Sequence, residues 1–135
     1  MDRFVKNFIA VSIFYLALAS IIGVVMGVRP QTLGYLKFAH SHLMLIGWVT
    51  MMIYGVGYHV LPRFAGKLIK NKGLADIQFW IANVGLVGMV IFYTLMQMGQ
   101  DYRLLFGISA TLQVASSLIF FYNMVTTLYS SDETH

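Results

Sequence analysis

The sequence predicts an all-α integral membrane protein built from four transmembrane helices, and three observations carry that prediction. The chain is 59% hydrophobic and only 10% charged, a balance that 135 residues cannot conceal in a water-soluble core. Apolar blocks recur at about 7–28, 38–61, 74–98 and 103–128, each close to the ~20 residues a spanning helix needs. No block alternates polar and apolar residues as a barrel strand would, and lipid admits only segments that satisfy their own backbone hydrogen bonds. Residues 1–135 therefore read as one four-helix membrane domain.

The elements follow in order. Met1 to Lys6 has the charge of a signal-peptide n-region, but the next apolar block is too long for an h-region and lacks a clear small-x-small cleavage signal near its end. It is expected to be a retained first span. Arg29-Pro30 ends it, because the residue before proline is pushed out of the helical region. Pro62 is expected to close the second span in the same way, and Lys72-Gly73 marks a break before the third. The polar tail from Ser130 to His135 is expected to fray. Small residues gather on the last three spans: Gly47, Gly55 and Gly57, then Gly85 and Gly88, then Ser109, Ala110 and Ser116. They let helices approach closely in lipid and make room for a flat cofactor.

Charge sets the orientation. The N-terminus and the connection between the second and third spans carry six of the nine Lys and Arg residues on one side, Arg3, Lys6, Arg63, Lys67, Lys70 and Lys72. The positive-inside rule assigns that side to the cytoplasm, so both termini face inward across a bacterial or archaeal cytoplasmic membrane. This bias and contact with anionic lipid account for the basic pI near 9.5, with no call for nucleic acid. The absence of cysteine excludes disulfides, iron-sulfur clusters, thioether haem attachment and thiol catalysis.

Chemistry concentrates in the second span. Ala39 to Pro62, AHSHLMLIGWVTMMIYGVGYHVLP, holds three of the four histidines, and an ionisable group at membrane depth points to function. His40 and His42 are two residues apart, hence about 200° apart around a helix. They cannot grip one ion together. Zinc or copper would want three or four donors converging on one point, whereas two imidazoles on opposite faces suit axial coordination of two separate haem irons. His59 lies 19 residues beyond His40, roughly 28 Å along a helix, and His135 is in the tail. The opposite axial ligand must then come from another copy, with His40 of one subunit facing His42 of the next around a closed ring.

These residues carry a resemblance. Ala39-His40-Ser41-His42 with Gly47, Gly55, His59, Pro62, Phe64 and Gly66, continuing to Phe79 and Gly85, resembles the helix of the haem-copper oxidase catalytic subunit that bears its H-x-H haem ligands. That subunit has twelve spans in three four-helix units about a pseudo-threefold axis. The resemblance implies that a homotrimer of this chain matches one oxidase core, with His40 and His42 as haem-iron ligands and each interface similar to the low-spin haem site. It implies propionate contact at the outer face, where Arg29, Lys37 and Arg103 lie, Arg103 being similar in placement to propionate-binding arginines. His59 matches a histidine that is not a ligand in the family. The family's copper site needs further histidines, one with a tyrosine four residues on, and this chain lacks that pattern. Copper and four-electron oxygen reduction are not expected.

Other residues receive structural roles. Trp48, Tyr54 and Tyr58 are expected to pack or anchor at the interface, Asp76 to stabilise the start of the third helix, and Gln113 to make an interhelical hydrogen bond. The leading functional expectation is a homotrimeric cytochrome b-like membrane protein holding bis-histidine haem b for electron transfer. Its partners would be further copies of itself, membrane lipid, and a quinol or redox protein. Two rivals come from other classes: a quinol- or nitric-oxide-reacting haem enzyme with one labile histidine, and a cofactor-free structural subunit of a respiratory complex.

Overall fold

The computed structural model describes residues 1–130, and among these every regular element is helical. Helix α1 spans Arg3–Val28 and is followed by a 3₁₀ turn, Pro30–Thr32. Helix α2, Leu33–His42, runs without a break into a π-helical segment, Leu43–Thr50, and then into α3, Met51–Phe64. Helix α4 is Lys72–Gln97 and α5 is Arg103–Leu128. Four helices are long and apolar enough to cross a membrane, the second being the continuous 35-residue Pro30–Phe64. The tail residues after Ser130, His135 included, lie outside the described residues.

The second span is longer at both ends than its hydropathy suggests. At the start, Pro30 opens the 3₁₀ turn, where its fixed φ is already helical and its missing N–H costs nothing. The Thr32 hydroxyl donates to the Arg29 carbonyl at 2.8 Å, tying the turn together. At the far end Pro62 does not close the helix but sits inside its last turn. The chain reverses at Gly66, whose φ of +66° is open to glycine and strained for other residues. Its N–H bonds the Arg63 carbonyl at 3.0 Å and the Lys67 N–H bonds that of Pro62 at 2.8 Å, so the terminal carbonyls are satisfied within the turn.

Helix α4 starts on a side-chain cap that the charge pattern had not singled out. Asn71 Oδ1 accepts the Leu74 N–H at 2.9 Å, which pairs one of the four amides a helix start leaves open. Asp76 lies beyond the first turn, which contains no acidic residue, so the cap is Asn71 rather than Asp76.

Packing depends on small residues. Helices α4 and α5 form the most extensive pair, α1 lies along the π segment and α3, and α2 touches both α1 and α4. A methyl group added at Gly85 would stand 2.9 Å from the Ser109 carbonyl oxygen and 3.0 Å from Leu112, while one at Gly47 would meet Tyr15 at 2.8 Å. Aromatic rings fill the space between α1, α3, α4 and α5 edge to face, Phe8 against Phe79 at 5.2 Å and Tyr58 against Phe120 at 5.1 Å, the geometry that ring quadrupoles favour. Large apolar side chains such as Ile21, Trp80 and Phe121 are more than 60% exposed. In lipid that surface is the solvated one.

Several polar groups at depth find partners across helices, whereas Gln78 Nε2, Ser116 Oγ and Asn123 Oδ1 are buried without one among the described residues. Tyr58 donates to Gln78 Oε1 at 2.6 Å, and Asn123 donates through Nδ2 to the Tyr58 hydroxyl at 3.3 Å and to the Asn71 carbonyl at 2.8 Å. Tyr54 meets the Ser117 hydroxyl at 3.0 Å, and Gln113 donates across the α4–α5 contact to the Ala82 carbonyl. Lys72 pairs with Asp2 at 2.9 Å and Lys67 donates to the Ser130 carbonyl at 2.8 Å. The start of α1, the α3–α4 connection and the end of α5 thus share one end of the bundle. Substituting Gly85→Val should overpack the α4–α5 contact and cost roughly 1–3 kcal/mol, read as a lower thermal midpoint in detergent. Gly27, which has open space around its Cα, should tolerate Ala with no loss.

Candidate functional site

Two histidines on one helix define the site, and each leans on a different neighbour. His40 turns toward α1, where its Nδ1 lies 2.9 Å from the Ala19 carbonyl oxygen. Gly23, one helical turn on from Ala19, leaves the gap the ring needs: a methyl group there would stand 3.0 Å from His40 Cε1. His42 turns the other way. Its Nδ1 lies 3.0 Å from the Phe38 carbonyl oxygen, with the Ser41 hydroxyl at 3.4 Å. Its ring stacks on Phe38 at 3.7 Å between centroids and 21° between planes. Phe38 in turn stacks on Tyr93 of α4 at 3.9 Å and meets Phe106 of α5 at 5.8 Å.

The hydrogen bonds fix which nitrogen donates. A carbonyl oxygen can only accept, so Nδ1 of both imidazoles carries a proton. In the neutral ring that leaves Nε2 with its lone pair. Among the described residues no hydrogen bond takes Nε2 of either ring. Anchoring one ring nitrogen to a backbone carbonyl while freeing the other is how proteins orient a ligating histidine. Both residues are half-buried.

Immediately after His42 the helix widens. Through Leu43–Thr50 the backbone bonds reach one residue further than in an α-helix, as in the Met51 N–H bond to the Ile46 carbonyl. The Thr50 hydroxyl adds a 2.8 Å bond to the Leu45 carbonyl, five residues back. Gly47 lies in this segment and brings it directly onto Tyr15. Such π segments often mark functional sites.

The remaining candidates are placed apart from the histidine rings. Arg29, Lys37 and Arg103 are exposed, at the end of the bundle where α1 stops and α2 and α5 begin. The Arg103 guanidinium is 3.9 Å from Asp101, with both side chains over 80% exposed. An apolar groove runs from Arg103 along α5 past Leu104, Ile108 and Leu112. His59 is at the opposite end of the second span, where Arg63 donates to its Nε2. Among the described residues no three His, Cys, Asp or Glu side chains converge on a point.

Haem fits these donors. The structure offers two imidazoles with anchored Nδ1 and Nε2 left without a hydrogen bond, on opposite sides of an apolar helix, each suited to ligate a separate iron. Residues not anticipated from the sequence are Ala19 and Gly23, which seat His40, and Phe38 and Tyr93, which cover His42. Phe38 stands four residues before His42, a spacing that puts both on one helical stripe; Ala19, Gly23 and Tyr93 are on other helices.

Comparison with known proteins agrees with this picture. The family described as cytochrome c and quinol oxidase polypeptide I matches residues 3–104. The cbb3-type cytochrome c oxidase subunit CcoN1 of Stutzerimonas stutzeri is 28% identical over 88 residues, which are 62% of this chain and 19% of that protein. The chain therefore spans only about a fifth of the length of this curated relative. No solved structure matches. With a family match across three of its four membrane helices, and with the H-x-H pair on the second, this membrane chain belongs to the haem-copper oxidase subunit I family.

Proposed function

We propose that the chain, as a single domain of residues 1–135, is a subunit of a homotrimeric membrane cytochrome in which haem b is held between subunits by His40 of one copy and His42 of the next. The observation that carries this reading is the shared tautomer of the two histidines, Nδ1 tied to a carbonyl and Nε2 free, on opposite sides of one helix. A single chain offers each iron one ligand only. Cyclic assembly supplies the second, with one haem per interface. The division of the oxidase core into three four-helix units supports the number three.

Haem bound at these residues supplies a one-electron iron centre. Ligation by His40 and His42 together would favour electron transfer over gas binding or oxygen activation. The chain's own contribution would be to orient both imidazoles, to wall the group with apolar helix surface, and to offer cations for its propionates. Arg29, Lys37 and Arg103 are at the correct end for that last role, and arginine's forked donors match a carboxylate best. The groove from Arg103 along α5 gives such a group an apolar wall. Copper is left out of this reading because the chain lacks a histidine with a tyrosine four residues on. The setting is a bacterial or archaeal cytoplasmic membrane with the basic end, and hence both termini, in the cytoplasm. A quinol or a redox protein is the electron partner, and His59, paired with Arg63, serves the cytoplasmic end structurally.

Visible spectra of the detergent-purified protein test this directly. Wild type should carry about one haem per chain, with sharp low-spin bands on reduction, and His40→Ala and His42→Ala should each lose nearly all of it, since every iron needs both residues. A band that shifts with carbon monoxide or nitric oxide would favour a gas-reactive enzyme, and purified protein without haem would favour a structural subunit.

Co-expression of the two alanine variants separates ligation between subunits from ligation within one. A trimer containing both kinds of chain has one interface with a His40 and a His42 intact. Purified through tags on both variants, mixed trimers should recover about one third of the wild-type haem. No recovery would exclude ligation across subunits.

A further inference from the structure

His42 is held at two points by a single residue. The Phe38 carbonyl takes its Nδ1 proton at 3.0 Å, and the Phe38 phenyl covers its ring face at 3.7 Å and 21°. These two contacts do different work. A hydrogen bond from Nδ1 confines rotation of the imidazole about its Cβ–Cγ bond only to within the angular tolerance of the bond, about a torsion whose energy well is broad. A flat partner against the ring face narrows that rotation further. Phe38 is itself backed on its far side by Tyr93 at 3.9 Å and 13°, and Phe106 meets it at 5.8 Å and 60°. Tyr93, Phe38 and His42 therefore form a stack of three nearly parallel rings carried on α2 and α4 and flanked from α5.

His40 is held differently. Its Nδ1 has the Ala19 carbonyl at 2.9 Å and its ring sits in the gap left by Gly23, but no aromatic ring stacks on it among the described residues. One histidine of the pair is held by a hydrogen bond and a ring stack. The other has the hydrogen bond and the gap beside Gly23 but no stack.

We infer that Phe38 and Tyr93 are positioning residues that set the ring plane of His42, and through it the ligand field of the iron bound at Nε2. The inference rests on the haem reading given under Proposed function. The plane of an axial imidazole decides which iron d orbital it donates into, so a ring free to rotate changes the magnetic anisotropy of the ferric centre without changing its ligands. Groups behind the ligand are recognised levers on a bound metal. They act here through ring stacking as well as hydrogen bonding.

Two measurements, one without haem, test this. In the haem-free protein in nanodiscs with labelled histidine, the His42 ring protons, assigned with the His40→Gln variant, should be shifted upfield by the Phe38 ring current. Phe38→Leu keeps the backbone carbonyl and should abolish the shift, Phe38→Tyr should retain it, and His40 should not respond. In the haem-loaded protein, Phe38→Leu should move the largest g value of the low-spin ferric EPR signal. Tyr93→Leu should move it in the same direction by less, and Phe38→Tyr and Tyr93→Phe should restore it. If Phe38→Leu fails to assemble, Tyr93→Leu carries the same comparison with α2 untouched. Unshifted His42 protons in wild type, or an EPR signal indifferent to loss of either ring, overturns the inference. A wild type that binds no haem overturns the haem reading instead, and the ring-current measurement then decides the positioning claim alone.

Discussion

A polar atom inside a membrane has no water to bond, and the arrangement of this bundle depends on that constraint. Every backbone amide in the spans must be satisfied within its own helix, and side chains with hydrogen-bonding groups must find partners on the protein. For His40 and His42 the partner is a backbone carbonyl, that of Ala19 on α1 and that of Phe38 on the same helix. Each bond uses the Nδ1 proton, and the consequence is chemical: both rings are left with an unshared pair on Nε2. The same rule that allows an imidazole at this depth prepares it as a ligand.

Close approach of helices is the second requirement. Lipid offers no hydrophobic gain for bringing two apolar helices together, so contact depends on packing and interhelical hydrogen bonds. Glycine supplies the packing here. Gly47 brings the π segment onto Tyr15, Gly85 brings α4 onto the Ser109 backbone, and Gly23 opens the space that His40 occupies. Tyr58, Gln78, Asn123 and Asn71 supply the hydrogen bonds near the α3–α4 connection, joining three helices at one end. The histidines lie toward the other end, in the stretch where α2 gives way to the π segment. The bundle is thus tied by polar contacts at one end and presents its candidate ligands nearer the other.

The π segment bears on both. It follows His42 directly, and its wider turn shifts the register between the histidines and the glycines of α3 relative to a uniform helix. The Thr50 hydroxyl bonding five residues back stabilises that geometry locally. Hydropathy carries no trace of it, because Leu43–Thr50 is apolar on nearly every face and so has no pattern whose phase could shift.

Much of this was legible in the sequence. Four apolar blocks of spanning length determined an all-helical membrane chain, because lipid admits no other backbone solution for them, and H-x-H followed by glycines, His59 and Pro62 determined the oxidase-like family. The two-residue spacing of His40 and His42 settled that they face apart, since a helix turns by a fixed angle per residue. Tertiary structure decided what local periodicity does not encode. It extended the second span from Pro30 through Pro62 to Phe64, because a proline can be housed in the first or last turn when the turn satisfies its own carbonyls. It put the side-chain support for the start of α4 on Asn71 rather than Asp76, because the helix begins at Lys72 and leaves Asp76 beyond its first turn. It brought Ala19 and Gly23 to His40 and Tyr93 to Phe38, contacts between residues distant in sequence. Composition and spacing fix which residue types are present and which way they face along one helix; which neighbour each one meets is set only when the helices pack.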